Sequence, residues 1–222
     1  KVCNSVYVAD IYMQNTPQIT TANAILTLQN EKGKTAKQDL RITVYEWKNK
    51  EKIVYSKEIK GISLNKGMNE LKIPESAPDA KLWSVYDPNL YVCEVELSEG
   101  QNWVDKDSRR FGFRWFEASG IGDDAVFRLN GKRIMLRSAI SWSFWPVNGI
   151  FPSEELAERQ IRIAKELGLN MLNCHRFIGN TDVMNYADEL GLLYFEEPGG
   201  FRLDVRQPFM NAVLHEKVIR MV

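Results

Sequence analysis

The sequence predicts a chain in two parts: an all-β, two-sheet sandwich over residues 1–115 and an α/β region with a parallel sheet over residues 116–222. Three observations predict it. Before residue 115, apolar residues recur at every second position, the mark of strands with one buried face. Turn signals separate those stretches, among them Lys32-Gly33-Lys34, Asn65-Lys66-Gly67 and Asp87-Pro88-Asn89. After residue 115 the alternation gives way to short apolar strands followed by helical patterns, and strand–helix alternation implies parallel strands joined by helical crossovers.

In chain order, the first strands are expected at Val6–Met13 and at Thr21–Gln29, where Ala22, Ala24, Leu26 and Leu28 share one face. Leu40–Val44, Ile53–Glu58 and Met68–Ile73 follow. Leu90–Leu97 sets Tyr91, Cys93, Val95 and Leu97 against Glu94 and Glu96, and Arg109–Trp115 completes the set. About seven strands in this length argue for two packed sheets. Asp87, Tyr91 and Cys93 have the D-x-x-x-Y-x-C spacing of an immunoglobulin F strand, whose tyrosine makes a corner hydrogen bond. The expected second strand holds no cysteine, so no disulfide between the sheets is expected. The cysteines, Cys3, Cys93 and Cys174, are odd in number and widely spaced, which fits neither a disulfide framework nor a zinc site; they are expected as buried free thiols.

Past residue 115, Phe127–Leu129 and Ile134–Leu136 flank Asn130-Gly131, a tight hairpin pattern. Ser153 is placed to cap a helix whose first turn carries Glu154 and Glu155 and which Gly168 closes. A strand at Asn170–Cys174 follows. The helix at Thr181–Leu190 has Val183, Tyr186, Ala187 and Leu190 on one side and Gly191 at its end. Leu192–Phe195 is a strand and Phe209–Val222 a helix. Residues 116–222 thus hold about three strand–helix units, where a complete (β/α)₈ barrel takes about 250 residues. The second part therefore reads as the front of a truncated TIM barrel.

Composition narrows the partners. Lys+Arg and Asp+Glu are both 29, so the net charge is zero and no basic excess is available to neutralise phosphates; no nucleic-acid partner is expected. No apolar run approaches the roughly 18 residues of a membrane span, and no membrane partner is expected. Neither a metal site nor a cofactor is expected. The first residues start no signal segment, and residue 1 reads as internal to a longer protein.

Three ordered motifs carry a family likeness. The first is Leu82-Trp83-Ser84 with Asp87-Pro88-Asn89-Leu90-Tyr91. The second is Arg110-Phe111-Gly112-Phe113-Arg114, then Phe127-Arg128-Leu129-Asn130-Gly131-Lys132 through Leu136-Arg137. The third is Ala164-Lys165-Glu166-Leu167-Gly168-Leu169-Asn170, then Cys174-His175, then Tyr186-Ala187-Asp188-Glu189-Leu190-Gly191-Leu192. The chain resembles glycoside hydrolase family 2, the β-galactosidase, β-glucuronidase and β-mannosidase group. The resemblance implies an immunoglobulin-like sandwich leading into a TIM barrel, and a parent enzyme that hydrolyses β-glycosides with retention. The family's acid/base and nucleophile follow later barrel strands, so no catalytic residue is expected among these 222. Two departures stand out. Arg137-Ser138-Ala139-Ile140-Ser141-Trp142 replaces the family's Arg-Gly-x-Asn-x-His, and Leu172-Asn173-Cys174-His175 replaces Val-Arg-x-Ser-His.

Four residues are candidates for substrate binding. His175 ends a strand where the resemblance implies a sugar-site histidine. Glu197 matches the family's Asp-Glu at a strand end, where barrel sites lie. Adjacent Glu196 points to the other face, so the pair cannot flank one glycosidic bond. Trp142 and Trp145 lie just beyond the first barrel strand and offer aromatic faces to sugar rings; packing within the loop is the alternative for both. Trp47, Trp83, Trp103 and Trp115 are expected in the core or between domains, and His215 as structural. The partner implied is the parent enzyme's carbohydrate substrate. The rival reading is a non-catalytic module that binds glycan or protein. Open sheet edges and unpartnered interior residues such as Leu136, Leu172 and Leu193 predict self-association through the barrel half.

Overall fold

The computed structural model describes residues 5–122, 125–175 and 179–197. Cys3, His215 and the expected helix at Phe209–Val222 lie outside the described residues. The chain divides into two compact units that meet at Ile134 and Met135, so the hairpin around Asn130-Gly131 belongs to the first.

The first unit is a sandwich of antiparallel strands. One sheet holds β1 (Val6–Asn15), β2 (Thr21–Asn30) and β5 (Gly67–Ser76) in the order β1-β2-β5. The other holds β3 (Ala36–Glu46), β4 (Asn49–Leu64), β6 (Tyr91–Glu99) and β7 (Asn102–Phe111) in the order β4-β3-β6-β7. The period-two residues fill the space between the sheets: Ala24, Leu26, Leu28, Leu40, Ile42, Val44, Cys93, Val95 and Leu97 are wholly buried. Each large one contributes about 1.5–3 kcal/mol by leaving water. Tyr91 makes the corner expected of it: the Lys81 backbone N–H donates to its hydroxyl at 2.7 Å. Its ring meets Phe113 edge-on at 5.3 Å. Cys93 is a buried free thiol, and burial pushes its pKa far up. Glu94 departs from its expected outward exposure. Its carboxylate is covered by Lys50 at 3.0 Å, Lys106 at 2.8 Å and the Tyr45 hydroxyl at 3.3 Å.

The last sandwich strand sits earlier than expected, because the chain leaves the ladder after Phe111. Gly112 passes so close to Trp83 that a Cβ on it would lie 2.8 Å from the Trp83 Cβ. The Trp83 N–H donates to Phe113 O at 2.9 Å, and the Arg114 guanidinium lies 4.5 Å from the buried indole. A small antiparallel sheet follows, in the order β10-β9-β8: β8 (Phe116–Ser119), β9 (Val126–Leu129) and β10 (Lys132–Ile134). Its first strand was not anticipated, and its last lies before the expected Ile134–Leu136. The β9–β10 turn has φ of +54° at Asn130 and +76° at Gly131, as a type I′ turn requires. The Asn130 side chain accepts from the Trp115 N–H and donates to Trp83 O, both at 2.9 Å.

The second unit is a parallel sheet in the order β11-β12-β13, built from β11 (Ser138–Ser141), β12 (Met171–Cys174) and β13 (Leu193–Glu196), with α1 (Glu154–Glu166) and α2 (Thr181–Leu190) between strands. Ser153 caps α1, accepting from the Leu156 N–H, and Asn180 caps α2. Gly191 ends α2 in the left-handed conformation, φ +78°. Ala157, Ile161, Ala164, Leu172, Val183, Ala187 and Leu192 form one core. Leu172 corrects the expectation that it would line an open barrel interior: it faces the helices and is 5% exposed. The opposite face carries Ile140, Asn173 and Phe195 in register, with Ile140 and Phe195 exposed.

Gly112→Ala is expected to cost about 1–3 kcal/mol, since the new methyl overpacks against Trp83. Urea unfolding of the two proteins checks this, through a lower midpoint at unchanged slope.

Glu75 generates a second expectation. It occupies an inward position on β5 opposite Ala22, is 3% exposed, and neither carboxyl oxygen has a hydrogen-bond partner among the described residues. Burial raises its pKa from 4.5 to about 8, against the opposing field of Lys57. Between these values the folded chain holds a proton that the unfolded chain has released. Stability from this group is therefore full below pH 4.5 and is lost as pH rises through about 8, at up to about 1.4 kcal/mol per pH unit. Glu75→Gln should flatten that decline in denaturant titrations from pH 4 to 9 and leave the variant more stable than the wild type at the alkaline end.

Candidate functional site

The three parallel strands end in register, with Ser141, Cys174 and Glu196 side by side. The residues just past them, Trp142 and Ser143, His175, and Glu197, therefore gather at one end of the sheet. The strand starts are tied by Asn170, which is 2% exposed. Its Oδ1 accepts from the Arg137 N–H at 2.7 Å and its Nδ2 donates to Met135 O at 2.8 Å, while its backbone N–H donates to Arg137 O and its carbonyl accepts from the Leu193 N–H. One side chain and one peptide thus align all three strands.

At the other end, the His175 Nδ1 lies 3.3 Å from Glu197 Oε1 and 3.2 Å from Oε2. The His175 backbone N–H donates to Ser141 O at 3.0 Å, carrying the β11–β12 pairing one residue past Cys174. The Trp142 ring stands perpendicular to the imidazole, centroids 4.7 Å apart at 88°, and is 59% exposed. An exposed indole, an imidazole and a carboxylate converge on one spot. Such a set offers an apolar face for the C–H side of a sugar and hydrogen-bonding groups for its hydroxyls.

The sequence candidates thus separate. Trp142, His175 and Glu197 come together. Trp145 has another setting: it is half-buried against the helix core, and its backbone exchanges hydrogen bonds with Gly149 at 2.7 and 2.8 Å. Glu196 accepts from the Gly179 N–H at 2.7 Å. Sequence reasoning missed a layer beneath the site. Ser143, 1% exposed, has its Oγ 2.9 Å from Cys174 Sγ and 3.3 Å from the Tyr194 hydroxyl. Burial pushes the Tyr194 pKa well above the usual tyrosine value, Ser143 opposing and Cys174 reinforcing the shift. Gln160 of α1 donates to Ser141 Oγ at 2.5 Å. Nothing in the sequence marks Ser143 as the buried residue between the exposed Trp142 and Phe144. Among the described residues no group of three or more His, Cys, Asp and Glu side chains could hold a metal ion. No described helix is long and apolar enough to cross a membrane.

The chain thus joins a two-sheet sandwich, a short antiparallel sheet held by the Trp83–Asn130 contact, and parallel strand–helix units with aromatic and ionisable side chains at their ends. Residues 6–114 match the family described as "Glycosyl hydrolases family 2". The chain is 30% identical over 181 residues to the β-galactosidase of Thermoanaerobacterium thermosulfurigenes, an alignment covering 81% of this chain and 24% of that one. It superposes on a β-glucuronidase of Parabacteroides merdae with a TM-score of 0.68 and 27% identity, covering 92% of this chain and 25% of that one. A family 2 glycosyl hydrolase of Bacteroides cellulosilyticus shares the fold at TM-score 0.78 and 24% identity, covering 89% and 27%. The chain belongs to glycosyl hydrolase family 2. It spans about a quarter or less of the length of the curated relatives it matches first.

Asn170→Ala should cost about 1–3 kcal/mol, because the Arg137 N–H and the Met135 carbonyl each lose their side-chain partner. Hydrogen exchange is the sensitive measurement: protection should fall across β11 and β12 and stay unchanged in β2 and β6.

Proposed function

We propose that the chain is part of a retaining β-glycosidase, supplying its immunoglobulin-like sandwich and the first strand–helix units of its catalytic barrel. The observation that carries this reading is the convergence of Trp142, His175 and Glu197 at the carboxyl ends of three parallel strands. In a barrel these are the strand ends on which active sites are built. The bare face carrying Ile140 and Phe195 is then the barrel interior, to be filled by side chains of the remaining strands. Within the pocket, Trp142 stacks on the sugar, while His175, oriented by Glu197, bonds a ring hydroxyl.

Retaining hydrolysis needs a carboxylic acid that protonates the leaving oxygen and a carboxylate nucleophile about 5–5.5 Å away. Glu196, the last residue of β13, accepts from the Gly179 N–H, and Glu197, one residue past the strand, pairs with His175, so the two do not form that pair. Both catalytic carboxylates come from the rest of the protein, and this chain binds and positions. Without the remaining strands, the open sheet also gives the isolated chain a surface for self-association.

Two measurements test the reading. The 222-residue chain alone should not turn over a panel of aryl β-glucuronides, β-galactosides and β-mannosides. In the full-length protein, His175→Ala and Glu197→Gln should each lower kcat/KM about 10²-fold on the preferred glycoside. Turnover by the isolated chain that vanishes on substituting Glu196 or Glu197 would overturn the assignment. So would a full-length protein indifferent to both substitutions, which would favour a binding module.

A further inference from the structure

Ser143 is buried between two exposed neighbours. Its neighbours Trp142 and Phe144 are 59% and 65% exposed, and it is 1% exposed. Its φ is +49°, in the left-handed region that non-glycine residues rarely occupy. A strained conformation persists where surrounding contacts over-determine it. Here those contacts are the wholly buried Cys174 sulfur at 2.9 Å and the Tyr194 hydroxyl at 3.3 Å, one from each of the other two strands. The Ser143 N–H also lies 3.3 Å from Ser141 Oγ, which Gln160 holds from α1. The reversal at Ser143 thus pins the loop to all three strands at the point where Trp142 leaves the sheet.

We infer that Ser143 is a positioning residue: held inward by Cys174 and Tyr194, it turns the chain so that the Trp142 ring stands edge-on to His175. The inference rests on the proposed sugar pocket for its purpose, but its geometry stands apart from any ligand. The Ser143 hydroxyl bonds to Cys174 and Tyr194, and it acts by setting where the backbone releases the indole. With the hydroxyl gone, Cys174 and Tyr194 lose their common partner. The loop then relaxes from the left-handed turn, and the indole samples orientations away from the imidazole.

Proton NMR on the 222-residue chain tests this. The chain has two histidines, His175 and His215, so the His175 ring-proton signal is assignable with His175→Gln. In the wild type the perpendicular Trp142 ring displaces that signal, and Trp142→Leu gives its undisplaced position. Ser143→Ala should remove at least half of the displacement. Ser143→Gly, which the backbone angle suits and which therefore folds without strain, should do the same. Tyr194→Phe, which removes the longer contact, should have a smaller effect. Asn170→Ala, which weakens the same unit at the far ends of the strands, should leave the displacement in place. Unchanged displacement in both Ser143 variants overturns the inference, as does equal loss in Asn170→Ala. Adding methyl β-D-glucuronide or methyl β-D-galactoside to the same samples separates the two readings. A wild-type His175 signal indifferent to both sugars counts against the pocket, while the response to the Ser143 variants still decides the positioning role.

Discussion

The contact between the Trp83 indole and the bare α-carbon of Gly112 governs how the sandwich gives way to the rest of the chain. The backbone comes within van der Waals reach of the ring because residue 112 has no side chain. That approach pulls the chain off the β7 ladder and presents the Phe113 carbonyl to the Trp83 N–H. It also brings Trp115 to Asn130, whose side chain closes the loop back to Trp83. Trp83, Gly112 and Asn130 are far apart in sequence and form one connected junction. A polar side chain takes the place of a strand partner there, so the path of the backbone can change without orphaning a peptide group. Asn30 does the same between β2 and the end of β4, donating to Lys34 O and Leu64 O, and Asn170 does so at the start of the parallel sheet.

Most of the sandwich was legible because its period-two pattern reports burial directly. Every inward position named in β2 and β6 from the sequence is buried. Ends were less legible. Arg109–Trp115 reads as a strand by residue type, yet the Gly112–Trp83 approach, a contact between distant residues, stops it at Phe111. Strand β11 was hidden because Ser138-Ala139-Ile140-Ser141 is polar at both ends and lies at the edge of its sheet. Leu172 faces the helices, since in a parallel strand buried on one side by helices the local alternation does not say which side is which. The buried Glu75 was invisible, because alternation marks its position as inward while its residue type marks it as exposed.

The candidate site divides along the same line. His175 and Glu197 were legible as residues that follow strands, since strands in register must bring their ends together, and Trp142 as an aromatic in the loop ahead of α1. Trp145 has the same residue type and loop as Trp142 but a different environment, settled by a two-residue backbone pairing with Gly149. Ser143 was not legible: a serine between two aromatics carries no mark of a left-handed turn, and its partners come from other strands.

The two described cysteines have a practical consequence. Cys93 is wholly buried between the sandwich sheets and Cys174 is wholly buried at the end of the parallel sheet, so each compact unit carries one concealed thiol. A thiol reacts with an alkylating reagent as the thiolate, and only once it is reached by solvent. The rate at which each sulfur is alkylated is therefore a clock for the opening of its own unit. With Cys3 replaced by serine, mass spectrometry of the two alkylated cysteine peptides would time the opening of the sandwich and of the strand–helix unit separately, in one sample.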